Sequence, residues 1–249
     1  MLLKRISLLP DRVDSWNEYP FNVPAIAGLR EVVIRSPVLF FVGENGSGKS
    51  TLLEAIANHY GFGREGGNRN LRVETTESVR AVDPLVRALR LSFTNRLGVG
   101  FYLRAESFFN TATAVDALGV TDGYGGRSLH EQSHGESFIS LAAAKFNRDG
   151  FYIMDEPEAA LSPQRQLSLL LLIHELLEKH KNVSVLIATH SPILLTYPEA
   201  QILSFDGGEI REINYRQTSS YQFWSSFITD PNRYVQALLQ CDPDTEINS

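Results

Sequence analysis

Short unbroken apolar runs alternate along this chain with stretches whose apolar residues return every three or four positions. Val38 to Val42, Phe151 to Met154 and Val183 to Thr189 are such runs. That is the form a strand takes when both its faces are buried. Leu52, Leu53, Ala55, Ile56 and Ala57 fall at helical spacing, and Gly61 supplies a C-cap. Phe138 to Phe146 reads as a further helix. Another begins at Ser162 as N-cap with Pro163 in its first position, and runs to about Lys181. The stripe of Val79, Val82, Leu85, Val86 and Leu89 predicts a helix over about 77–95, started or broken by Pro84. Gly98 to Phe108 reads as a strand followed by a turn. Ile202 to Phe205 and Glu209 to Ile213 flank Asp206-Gly207-Gly208, a hairpin signal. The region 219–240 predicts helix with a break at Pro231, whereas Pro10, Pro20 and Pro24 confine residues 1–36 to short strands and turns. Strands alternating with helices imply the α/β class: a mainly parallel sheet with helices on both faces.

The loop after Val42 carries candidate chemistry. Gly43-Glu44-Asn45-Gly46-Ser47-Gly48-Lys49-Ser50-Thr51 fits G-x-x-x-x-G-K-[ST], the phosphate-binding P-loop. A buried strand precedes it and a helix follows, as the motif requires. The glycines let backbone N–H groups converge on phosphate oxygens, and the helix N-terminus adds positive potential. Lys49 would reach the β- and γ-phosphates, and the Ser50 hydroxyl would ligate Mg²⁺. A chance glycine turn before a helix is the competing reading, and the context argues against it.

Bulk properties narrow the setting. At 249 residues and 43% hydrophobic content the chain can build one large α/β domain. No apolar run approaches the roughly 20 residues of a membrane span. Met1-Leu2-Leu3-Lys4-Arg5 lacks the apolar segment of a signal peptide. Cys241 is the only cysteine, which suits a reducing, cytoplasmic compartment. A net charge of −6 gives no support to general nucleic-acid binding. Gly61 to Arg72 is nonetheless glycine-rich and locally basic, as a mobile loop would be, and its Arg64, Arg69 and Arg72 are candidate phosphate contacts or simply a solvated loop. Gly119 to Gly126 reads as a glycine-rich turn.

Asp155 ends the second apolar run, and Glu156 follows it. In a P-loop enzyme an acid at that place binds Mg²⁺, and an adjacent glutamate polarises the attacking water. Between the two motifs stands Ser133-His134-Gly135-Glu136-Ser137, just before a helix. Read alone, Ser133 and Glu136 form a capping box, or the segment presents a hydroxyl and free N–H groups to an anion. Here the sequence resembles the ABC-class ATPases, whose Ser-Gly-Gly-Gln signature opens a helix. Ser133, Gly135 and Glu136 stand at its first, third and fourth places, and His134 departs from the second. Ala159-Ala160-Leu161-Ser162 resembles the D-loop, with Ser162 its final residue. Leu186 to His190 resembles the strand that ends in the switch histidine, with His190 placed to contact a γ-phosphate. Tyr19 and Phe21 are candidates for the aromatic that stacks on adenine. The Q-loop glutamine has no match, and Arg104 or Glu106 occupies its region. Glu106 is the candidate for holding metal-bound water, and Arg104 for touching phosphate.

The resemblance implies one ABC-type ATPase domain over residues 1–249: a P-loop NTPase fold with an N-terminal antiparallel β portion. Its nucleotide-binding core would cover 1–60 and 150–215. A small helical subdomain with the signature would cover about 75–148, and C-terminal helices 216–249. The variants Ser-His-Gly-Glu and Asp155-Glu156-Pro157-Glu158 resemble the RecF-type and chromosome-maintenance branch, and small stand-alone ATPases related to it, more than transporter ATPases. No heptads exist to build that branch's coiled coil. The expectation is therefore a bare ATPase head. It would use ATP and Mg²⁺ and close as a homodimer, or with a related ATPase, when ATP is bound. Its role would lie in nucleic-acid maintenance or defence. The alternative is the ATP-binding subunit of a transporter, working with a separate membrane protein.

Overall fold

The computed structural model describes residues 2–63, 66–67, 81–106 and 134–240. Nine strands are described: β1 (Leu3–Leu8), β2 (Glu31–Val33), β3 (Val38–Val42), β4 (Leu89–Phe93), β5 (Gly100–Arg104), β6 (Gly150–Asp155), β7 (Val183–Ala188), β8 (Gln201–Ser204) and β9 (Arg211–Ile213). The α-helices are α1 (Pro24–Gly28), α2 (Lys49–Tyr60), α3 (Asp83–Ala88), α4 (His134–Lys145), α5 (Pro163–Lys179), α6 (Ser219–Thr229) and α7 (Pro231–Gln240). A six-stranded sheet runs in the order β5-β6-β7-β3-β8-β9. Its first five strands are parallel and only β9 runs against its neighbour. A three-stranded antiparallel sheet, β2-β1-β4, stands beside it.

The apolar runs explain the layering. Side chains alternate across a strand, so each buried run feeds two cores. Leu39, Phe41, Ile153, Leu186 and Leu203 face Leu52, Leu53 and Ile56 of α2 and the small sheet. Phe40, Val42, Tyr152, Met154 and Ile187 face Phe138 and Leu141 of α4 and Leu169 and Ile173 of α5. Burying one such side chain fully is worth about 1.5–3 kcal/mol. The helices thus cover both faces of a mainly parallel sheet, as the α/β pattern required.

Two local expectations change. The helix expected over about 77–95 ends at Ala88, and residues 89–93 form β4 on β1. Leu89, Leu91 and Phe93 alternate, and pairing with β1 overrides the helical reading of Leu89. β4 and β5 both lie within the stretch 75–148 assigned to a helical subdomain, and β5 is an edge strand of the main sheet. The hairpin read around Asp206-Gly207-Gly208 is present: a short 3-10 turn with Gly207 left-handed (φ 76°) joins β8 to the antiparallel β9. Pro84 starts α3, Gly61 caps α2 with φ 105°, and the C-terminal helix breaks before Pro231 as expected.

Gly100 opens β5 with φ 143°, and a Cβ there would lie 1.7 Å from the Phe151 carbonyl oxygen of β6. Nothing flexible stands in that contact, so the backbones themselves would have to part. Gly100→Ala is expected to destabilise the protein by about 3–5 kcal/mol. Urea unfolding followed by far-UV circular dichroism measures it, and a loss below about 1 kcal/mol would contradict the close packing of β5 on β6.

Candidate functional site

Parallel strands end at one edge of their sheet, and loops from their carboxyl ends meet there. The P-loop leaves β3, Arg104 ends β5, Asp155 ends β6, Thr189 and His190 follow β7, and Asp206 follows β8. Register aligns them: Arg104 pairs with Asp155, Asp155 with Ala188, and Val42 with Ser204.

The P-loop backbone turns through left-handed conformations at Gly46 and Gly48, with φ of 80° and 101°. A Cβ at Gly48 would meet Val23 at 2.8 Å, so both backbone and space exclude a side chain. Lys49 is only 3% exposed, and its Nζ donates to the Gly43 and Glu44 carbonyls at 2.7 and 2.8 Å. The ammonium therefore folds back over the loop. Burial lowers its pKa, opposed by the negative field of Glu156, Asp206 and Asp155. Asp206 fastens the loop from outside by accepting the Glu44 N–H at 2.9 Å. The Ser47 hydroxyl is buried and has no partner among the described residues. Asn45 is exposed at the loop tip. Thr51 shares a 3.1 Å hydrogen bond with the Tyr19 hydroxyl. Tyr19 is exposed beside the loop, whereas Phe21 is buried edge-on to Trp16, so only Tyr19 has a ring face free for stacking.

Asp155 accepts the Ser50 hydroxyl at 3.1 Å on one oxygen, and Arg104 Nε lies 3.6 Å from the other. Burial raises its pKa to about 6, against the pull of Arg104 and Ser50. A hydroxyl and a buried carboxylate side by side suit a small hard cation whose remaining ligands are phosphate oxygens and water. The Mg²⁺ that the P-loop motif implies fits this donor set. Among the described residues no group of three or more His, Cys, Asp or Glu forms a metal cluster. Glu106 is mostly exposed and is ion-paired with Arg104 at 3.2 Å, so the β5 group against Asp155 is Arg104.

Glu156 adopts a left-handed backbone, φ 48°, unusual for glutamate and the kind of strain found at functional sites. Its N–H is held by the Ala188 carbonyl at 2.9 Å, and its carboxylate lies 3.6 Å from His190 Nε2. That ring nitrogen is buried without a partner among the described residues. The His190 backbone N–H donates to Glu158 at 2.5 Å. Burial raises the Glu158 pKa, opposed by hydrogen bonds from the His190 N–H and Thr189. Ser191 donates to Gln166 of α5, a second clasp on the same turn. Trp224 and Ile228 of α6 close an apolar cavity of about 530 Å³ against Glu158, His190 and Ile193.

Ser133 lies outside the described residues, as do Arg64, Arg69 and Arg72. His134 opens α4, as the helix-opening motif requires. Gly135 is buried against Ala160 and Arg165, and Glu136 pairs with Arg165 at 2.9 Å. Ser162 is the N-cap residue of α5 but makes no capping hydrogen bond through its side chain. The structure therefore joins Lys49, Ser50, Asp155, Glu156 and His190 at the sheet edge. Gly135 and Glu136 pack against the turn and helix that follow Glu156. Sequence reasoning missed Asp206, Glu158 and Gln166 as supports. Asp206 reads as a turn residue until β8 is known to lie beside β3.

Residues 98–196 match the family described as an AAA domain, putative AbiEii toxin of a type IV toxin–antitoxin system. The chain is 31% identical over 185 residues to the thiamine import ATP-binding protein ThiQ of Rhizobium meliloti, covering 70% of this chain and 76% of that protein. It is 28% identical over 165 residues to the zinc import ATP-binding protein ZnuC of Vibrio cholerae, covering 65% of this chain and 60% of the relative. The match thus spans less than two thirds of the zinc-import protein's length. Among solved structures, an ATP-binding cassette of an ABC transporter in its ADP conformation superposes with a TM-score of 0.49 at 17% identity, covering 96% of this chain and 99% of that one.

Proposed function

The chain belongs to the ABC-class P-loop ATPases, and from that premise we propose that it binds and hydrolyses ATP as a nucleotide-dependent dimer switch. The observation that carries this reading is the meeting of Lys49, the Ser50–Asp155 pair and the Glu156–His190 pair on adjacent strand ends. P-loop amides from Gly43 to Thr51 and the N-terminus of α2 would hold the phosphates. Lys49 would exchange its two carbonyl partners for phosphate oxygens. Ser50 and Asp155 would hold Mg²⁺, with Glu106 a further candidate for metal-bound water. Bound Mg²⁺ supplies charge neutralisation on the β- and γ-oxygens. Glu156 would take the proton of the attacking water, and His190, set by Glu158, would contact the γ-phosphate. Tyr19 would stack on adenine.

Ser133, His134, Gly135 and Glu136 of a second copy would complete the site, with Ser162 near the join. ATP would then close the pair and hydrolysis would release it. The expected result is a monomer without nucleotide or with ADP, and a dimer with a non-hydrolysable ATP analogue, measured by sedimentation velocity. Ser133→Arg should leave analogue binding within about threefold and abolish the dimer, because on this reading the added bulk and charge would meet the partner's bound nucleotide. A Ser133→Arg dimer as stable as wild type would remove the signature from the interface.

The family description that includes a toxin–antitoxin system supports a role in defence, with nucleic acid one of its possible targets. The import proteins among the relatives support the second reading, an ATP-binding subunit of a transporter. The two separate on capture of the ATP-locked protein: a membrane subunit retained in detergent favours transport, and nucleic-acid-stimulated ATPase favours the first. Among the described residues no helix is long and apolar enough to cross a membrane.

A further inference from the structure

The guanidinium beside Asp155 stands where a divalent cation would have to be accommodated. Arg104 ends β5 in register with Asp155, and three carboxylates surround it: Asp155 at 3.6 Å, Glu54 of α2 at 3.5 Å and Glu106 at 3.2 Å. Its side chain is 23% exposed and Glu54 is 17% exposed, so the cluster is partly shielded from solvent, with Glu106 its exposed member. Asp155 thus divides its two oxygens, one toward Ser50 and one toward Arg104. A cation seated between Ser50 and Asp155 meets a fixed positive charge within a side chain's width, and like charges in such a shielded place repel strongly.

We propose that Arg104 is an internal counter-cation that competes with Mg²⁺ for Asp155 and sets how much Mg²⁺ the site requires. This rests on the nucleotide-binding reading above. Glu54 and Glu106 give the guanidinium somewhere to go. When metal takes Asp155, Arg104 gives up its 3.6 Å contact there and stays paired with the two carboxylates it already touches. Without metal, it neutralises a carboxylate whose burial would otherwise leave it exposed to the full cost of desolvation. Arg104 is a positioning residue here: it acts on the metal through Asp155.

The test is the Mg²⁺ concentration that half-saturates binding of a fluorescent, non-hydrolysable ATP analogue. Arg104→Gln, which keeps a polar side chain and removes the charge, should lower that concentration about tenfold. Glu106→Gln removes an exposed anchor and leaves Arg104 more firmly on Asp155, so it should raise the concentration two- to threefold. In the Arg104→Gln/Glu106→Gln double variant the Glu106 change should have no further effect. An unchanged or higher Mg²⁺ requirement in Arg104→Gln overturns the proposal. A Glu106 effect that persists in the double variant also overturns it, because Glu106 would then act on the metal directly. If Arg104→Gln does not fold, Glu106→Gln can still overturn the proposal, since an unchanged or lowered requirement there contradicts the competition. Wild-type protein that binds no analogue at any Mg²⁺ concentration removes the nucleotide-binding reading itself, and this inference with it.

Discussion

Glu156→Gln is expected to bind ATP, to hydrolyse it at least about a hundredfold more slowly than wild type, and to accumulate as a dimer. The amide has the shape of the carboxylate but cannot accept the proton of an attacking water. The substitution should preserve the site otherwise. The residue is held through its backbone, by the Ala188 carbonyl on one side and the turn to Ala159 on the other, and not through its side chain. The His190 ring sits 3.6 Å from the carboxylate, so the neutral variant loses an electrostatic partner but no short hydrogen bond. Phosphate release under single-turnover conditions measures the chemical step, and sedimentation velocity in ATP measures the trapped species. Turnover equal to wild type would remove Glu156 as the base. A variant that holds ATP yet remains monomeric would contradict the shared site while leaving the base intact.

Asp155→Asn should separate stability from function. Burial raises the Asp155 pKa from its ordinary 3.8 to about 6. For an acid this sign means that the folded protein binds the proton more tightly than the unfolded chain does. The charged carboxylate therefore destabilises the metal-free fold, with no penalty below about pH 4 and the full penalty above about pH 6. Two pKa units correspond to at most about 3 kcal/mol, so a range of about 1–3 kcal/mol is expected. The asparagine keeps an oxygen for the Ser50 hydroxyl, and Arg104 keeps Glu54 and Glu106. Metal-free Asp155→Asn should thus melt above wild type at pH 8, with the gap closing near pH 4, by calorimetry across that range. Its Mg²⁺-dependent hydrolysis should fall at least about a hundredfold, since the remaining hydroxyl is a poor ligand alone. A variant less stable than wild type at pH 8 would mean that attraction to Arg104 outweighs desolvation.

The central layer was legible because its chemistry is local. Val38 to Val42, the glycine loop and α2 are contiguous, and each imposes the next: an apolar strand, a turn that needs positive φ, a helix with an apolar face. The Asp155-Glu156 pair and His190 could be read because each terminates an apolar run, and parallel strands place such termini together. What escaped depends on contacts between distant segments. Leu89 fits a helical stripe and an alternating strand equally well, and only β1, more than eighty residues earlier, decides between them. Between Arg104 and Glu106, sequence reasoning favours Glu106 on the metal side, because only a carboxylate can hold metal-bound water. Strand pairing turns the first toward Asp155 and leaves the second toward solvent. Glu158 looked like part of a motif and proved to be the acceptor for the His190 backbone. Gln166, one turn into a helix, clasps Ser191 from an element that only the completed fold brings near.

The two cores separated by the large sheet have a mechanical consequence. α2, which follows the P-loop, packs wholly with one core. α4 and α5 pack with the other. The sheet between them is a bulkhead of close-packed side chains, and such layers shift as blocks and do not deform smoothly. Rearrangement among α4 and α5 therefore reaches α2 as movement of the strands that feed both cores. The same strands end beside one another at Arg104, Asp155 and Ala188, so a shift of either layer is carried to that edge.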